Sequence, residues 1–205
     1  MSYKILKIER DDASVRTVME RYKAFRLLAL QTAPEMFGST YERELAFTDD
    51  AWYDRLASPM ATSLLAIQED RTIGSITMVG PLPFAPEQAS PTSNPWGALG
   101  KKSSDPQDYA HFRVNGMFTL PEVRGQGAAK ALMQRSIKQA ILDAKELGRE
   151  YVGSIVVDSD NPAAVGLYKK FGYETIGEEP REPGSIRTAL LMKYVPNAQA
   201  AALVQ

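Results

Sequence analysis

The chain has 205 residues, 44% of them hydrophobic and 24% charged, which is enough for one domain with a sizeable core. Its net charge is −1, so nothing in the balance draws it to nucleic acid or to an anionic membrane. The absence of cysteine excludes disulfides, thiolate metal ligands and a cysteine nucleophile.

Taken in order, the polar start MSYKILKIERDD is no signal peptide, and no run of 18 apolar residues follows it. A cytoplasmic location and no membrane partner are therefore expected. Tyr3 to Ile8 alternates apolar and polar side chains, as a half-buried strand does. Asp11 or Asp12 can cap a helix in which Val15, Val18, Met19, Tyr22, Phe25, Leu28 and Leu30 form an apolar stripe. That helix stops near Thr32, before Pro34. Ala33 to Tyr41 reads as a loop of aromatic and small residues, and Thr48-Asp49-Asp50 caps a short helix through Trp52 and Leu56.

Ser63–Gln68 and Thr72–Val79 read as strands joined by Glu69-Asp70-Arg71. Pro81 to Tyr109 holds six prolines and little periodicity, the pattern of a functional lid or a surface insertion. Trp96 within it is costly to leave in water, so part of the segment should pack. Ala110 to Leu120 is the next strand, ended by Pro121. A helix then carries Leu132, Met133, Ile137, Ala140, Ile141, Ala144 and Leu147, with Gly148 in the C-cap place. Asn161 caps another helix whose first turn contains Pro162. Strands from Tyr173 through Ile176 and from Ser185 to Tyr194 complete a single domain over residues 1–196, with a fraying tail at 197–205.

Between the strand at 110–120 and its helix stands Val123-Arg124-Gly125-Gln126-Gly127-Ala128-Ala129-Lys130. The glycines allow a sharp turn and a close approach to a ligand, and the first N–H groups of the helix lack intrahelical partners. Strand, glycine turn and helix N-terminus make an anion site, most simply for a phosphate or pyrophosphate. It is not a Walker loop, because Gly127 is followed by Ala-Ala-Lys, and it lacks the third glycine of a dinucleotide fingerprint. A second stretch, Asn161-Pro-Ala-Ala-Val-Gly-Leu-Tyr168-Lys-Lys-Phe-Gly-Tyr173, follows the apolar run from Tyr151 to Val157.

Arg124-x-x-Gly127-x-Ala129 resembles the Q/R-x-x-G-x-G/A signature of the GNAT superfamily of N-acetyltransferases. The second stretch is similar to that family's N-x-x-A-x-x-L-Y-x-x-x-G-F/Y segment and lies at about its distance. The resemblance implies an α/β fold, with a central mixed, mostly antiparallel sheet of about six or seven strands flanked by about four helices. It implies acetyl-CoA as cosubstrate, its pyrophosphate on the backbone of Gly125, Gln126, Gly127, Ala128, Ala129 and Lys130. Arg124 would pair with phosphate or, equally, with Glu122. Lys130, Arg135, Lys169 and Lys170 are candidates for the ribose phosphate, and backbone near Met117, Phe118 and Thr119 for the pantetheine arm. Asn161 would contact that arm, although its capping role explains it as well.

Tyr168 matches the family's general acid toward the leaving thiolate, and a phenol is protonated at neutral pH. The only histidine, His111, falls where some relatives carry a glutamate base, but a structural histidine or a water-mediated path serves equally. Glu35, Glu42 and Asp108 are weaker candidates. Phe37, Tyr41 and Trp52 could line the acceptor pocket together with His111, while Phe37 and above all Trp52 can instead anchor helices to the core.

With one histidine and no nucleophile elbow, neither a metal cluster nor a serine triad is expected. The expected reaction is direct attack of a primary amine on acetyl-CoA in a ternary complex, in a monomer or homodimer with no nucleic-acid partner. The long segment at 81–109 tilts the acceptor toward a small molecule. A protein N-terminus or lysine is the alternative acceptor, and a non-catalytic CoA-binding module is the rival from another class.

Overall fold

The computed structural model describes residues 2–83, 106–181, 184–195 and 202. Among the described residues seven strands, β1 (Lys4–Lys7), β2 (Ala61–Gln68), β3 (Arg71–Leu82), β4 (Tyr109–Thr119), β5 (Glu150–Asp158), β6 (Tyr173–Pro180) and β7 (Thr188–Tyr194), form one sheet in the order β1-β2-β3-β4-β5-β7-β6. Five helices accompany them among the described residues: α1 (Asp12–Thr32), α2 (Tyr41–Leu45), α3 (Asp49–Ala57), α4 (Ala128–Glu146) and α5 (Pro162–Lys170). The mixed, mostly antiparallel sheet is the architecture expected. None of the helices is long and apolar enough to cross a membrane.

Local chemistry explains most of the boundaries. The side chains of Asp11, Thr48 and Asn161 accept from Ser14, Ala51 and Ala164 N–H, capping α1, α3 and α5. Glu69 and Asp70 both take positive φ, 48° and 62°, as a two-residue hairpin turn between β2 and β3 requires. Arg149 N–H reaches back to the Ala144 carbonyl at 2.9 Å around Gly148, closing α4.

The chain divides into two compact units, residues 1–78 with 115–136, and residues 79–114 with 137–205. In the first, β1 pairs antiparallel with β2 from Lys4↔Ile67 to Lys7↔Leu64. Its core gathers Ile8, Val15, Tyr22, Trp52, Leu56, Leu65 and Ile67. In the second, β4 runs parallel to β5 from Tyr109↔Glu150 to Val114↔Ile155. There β7 lies between β5 and β6, antiparallel to both. Among the described residues β6 is an edge strand, and Glu174 and Glu178 on it are exposed.

Several expected details differ. Leu28 is 39% exposed, off the buried stripe of α1, and Leu147 is 50% exposed in the turn just past the end of α4. The loop at Ala33–Tyr41 contains a 3-10 turn at Pro34–Met36, and just past it a short α2 forms where no element was expected, started by Thr40 Oγ1 accepting from Arg43 N–H. β3 continues through Pro81 and Leu82, and β7 begins at Thr188 rather than Ser185. The expectations for the interior of the proline-rich segment, Trp96 included, lie outside the described residues. So does that for the tail, but for Ala202.

Candidate acyl-transfer site

The candidate residues divide between the two units. In the first, Leu120 N–H bonds the Ile73 carbonyl at 3.0 Å and ends β4. A 3-10 turn at Pro121–Val123 follows, with Arg124 N–H on the Pro121 carbonyl and Gln126 N–H on that of Val123. Gly125 and Gly127 then take φ of 79° and 89°, a region that L side chains rarely occupy. A Cβ on Gly125 would meet nothing, whereas one on Gly127 would lie 3.2 Å from the Tyr3 hydroxyl. Gly125, Gln126, Gly127 and Lys130 are exposed, and Arg135 is exposed one turn further along α4.

The N–H groups of Ala128, Ala129 and Lys130 are those that the start of α4 leaves without an intrahelical partner. Glu122, the nearby carboxylate, is held by Arg71 at 2.8 Å and not by Arg124. The exposed Arg124 guanidinium instead stands 5.9 Å from the centre of the Phe118 ring. A loop of exposed glycines, a helix N-terminus and an arginine not neutralised by Glu122 fit a pyrophosphate.

Just upstream, Gly116 takes φ of 58° within β4 and its carbonyl accepts from Ser75 Oγ at 3.3 Å. Phe118 is buried between Phe25 and Phe37, at ring distances of 6.1 and 5.8 Å, so the backbone rather than its side chain is what this residue can offer a ligand. Met117, Thr119 and Phe37 are half-buried, as is Tyr41 at the start of α2. Trp52 is fully buried against Tyr22 and Phe47, the anchoring role favoured for it by the sequence. Glu35 and Glu42 are exposed.

The sequence gives no sign of Glu44. It is 1% exposed, its carboxylate held by Arg26 Nε and Nη2 at 3.0 and 2.8 Å and by Arg55 Nη1 at 2.8 Å. Burial alone would raise its pKa, but the two arginines outweigh it and hold the carboxyl at about 2. The partners lie 18 and 11 residues away, beyond any local pattern.

In the second unit Tyr168 is 6% exposed on α5, its ring edge-on to Tyr173 at 6.3 Å. Burial pushes its pKa up to about 12. Asn161 Oδ1 accepts from Ala164 N–H at 3.1 Å, the capping role that its position suggests. Lys169 and Lys170 stand exposed in the last turn of α5, where the helix dipole itself favours them. Asp158, at the end of β5, is buried between Arg181 and Arg187, the latter at 2.7 Å. Asp108 is exposed.

His111 is 2% exposed, with Nε2 2.6 Å from Ser154 Oγ. Burial, helped by the charge of Arg113, lowers its pKa to about 3. An imidazole so enclosed and so weakly basic fits a structural role better than that of a base drawing a proton from an amine.

The family model for the acetyltransferase (GNAT) family matches residues 25–173. A GNAT acetyltransferase from Streptococcus pneumoniae superposes with a TM-score of 0.61 at 16% identity, over 96% of this chain and 100% of that one. Arabidopsis thaliana NAA60, solved with acetyl-CoA, gives 0.61 at 14% identity over 94% and 98%. An aminoglycoside 6'-acetyltransferase type Ii gives 0.58 at 12% over 95% and 99%. No curated protein matches the sequence. Loop, fold and family model agree, and the chain belongs to the GNAT family of acetyltransferases.

Proposed function

We propose that the protein moves the acetyl group of acetyl-CoA to the primary amine of a small molecule by direct attack, with Tyr168 protonating the departing thiolate. Its family makes it an acetyl-CoA-dependent N-acetyltransferase; the acceptor and the proton donor are what the proposal adds. The pyrophosphate lies against the Gly125–Lys130 backbone with Arg124 beside it, and the arm against Met117–Thr119. Acetyl-CoA brings an already activated acyl group, so the protein has mainly to orient it, and orientation alone is worth on the order of 7–11 kcal/mol in favourable cases. We take the amine to lose its proton to water, because His111 is shut in and barely basic.

Tyr168 is the observation that carries the reading. Its phenol, kept protonated across the working range by burial that pushes its pKa up to about 12, can donate a hydrogen bond to the thiolate as it departs, although the same shift makes full proton transfer the harder part of the step. A module that only bound CoA would have no use for it. The test is Tyr168→Phe, which keeps the ring and removes the hydroxyl. Turnover should fall by roughly 100- to 10,000-fold, the usual worth of a general acid, while the Kd for acetyl-CoA changes little. Unchanged turnover would remove Tyr168 from the mechanism.

A further inference from the structure

In the first unit two guanidinium groups share one carboxylate, so the Arg26–Glu44–Arg55 cluster carries a surplus positive charge. Arg26 commits Nε and Nη2 to Glu44. Its remaining corner, Nη1, faces β4 and lies 3.9 Å from the point where a side chain on Gly116 would begin. Gly116 has none and, its chain neighbours apart, no other atom of the described residues comes within 4 Å of that point. The Phe37 ring packs on the same guanidinium at 4.5 Å and touches Phe118, giving the charge an aromatic wall. Only 12% of the Arg26 side chain is exposed. A nearly enclosed guanidinium with one edge uncommitted among the described residues is a strong site for an anionic oxygen, since such bonds strengthen as water is excluded.

We propose that Arg26 Nη1 binds the carboxylate of the acceptor, so that the substrates are small amines bearing a carboxylate, such as α-amino acids, with Phe37 bounding their carbon skeleton. This rests on the reading above, in which the acetyl-CoA arm follows Met117–Thr119 and the Gly116 edge adjoins the transferred acetyl group. The same surplus charge disfavours polyamines and other polycations, which would bring like charge to Arg26.

The test measures thiol release from acetyl-CoA with sets of three acceptors: an L-amino acid, its primary amide and its decarboxylated amine. The amide's ammonium is the more acidic and the amine's the more basic, so the pair brackets the amino acid in nucleophile protonation. KM for the amino acid should be about 10- to 100-fold below that of either neutral-ended partner, the worth of one charged hydrogen bond. Arg26→Gln should abolish that ratio. Because it leaves Glu44 to Arg55 alone, the paired change Arg26→Gln with Glu44→Gln is made as well, and should also bring the ratio near one. Equal KM values in the unaltered protein, or a ratio that survives the paired change, would overturn the proposal. So would silence with every acceptor while acetyl-CoA still raises Tm, an outcome that leaves the cofactor reading intact. Loss of the Tm rise itself would instead strike at that reading.

Discussion

His111 and Glu44 show how a buried titratable group is decided by its neighbours. Both have a lowered pKa, His111 because its charged form is desolvated and Glu44 because two arginines favour its charged form. For His111 the unfolded chain binds a proton near pH 6.5 while the folded chain resists it down to about 3. Through that window the unfolded state binds more protons, so stability falls as pH falls. His111→Asn, which keeps a polar partner for Ser154, should flatten this slope in urea melts taken from pH 7 to pH 4. It should leave the shape of the kcat/KM pH profile alone. A drop in kcat of about 100-fold or more, with loss of a limb of that profile, would make His111 the base after all. The lone histidine was visible in the sequence, but its enclosure was not, because Ser154 stands 43 residues away.

At the scale of elements, what was legible depended on reach. The caps Asp11, Thr48 and Asn161 act within three residues, and each helix they start was readable from its residue types. α2 was not, since its anchor is Glu44 and the partners of Glu44 belong to α1 and α3. The glycine loop was legible because backbone conformation selects its residues. Gly125→Ala and Gly127→Ala each force a Cβ into left-handed backbone, at about 1–2 kcal/mol. Gly127→Ala adds a contact with the Tyr3 hydroxyl. It should therefore lower the midpoint of denaturant unfolding more than Gly125→Ala does, and both should weaken acetyl-CoA binding by calorimetry. Equal midpoints would show that the hydroxyl simply moves aside.

For the whole molecule, the fold class followed from two motifs, while the placing of β7 between β5 and β6 did not, since strand order is set by long-range pairing that no local pattern records. A cosubstrate bound only by the folded chain should stabilise it by about 2.7 kcal/mol at 100 times its Kd. For a chain of this size that is a rise in Tm of roughly 5–10 °C. No rise at millimolar acetyl-CoA would mean that the loop is only a turn. The glutamates on β6 have a consequence of another kind. An open strand edge invites a copy of itself, and two such edges laid antiparallel would set Glu174 and Glu178 of one against carboxylates of the other. Pro180, at the end of the strand, has no N–H to offer a newcomer. Repulsion along this border therefore opposes growth of the sheet by a second copy of the chain.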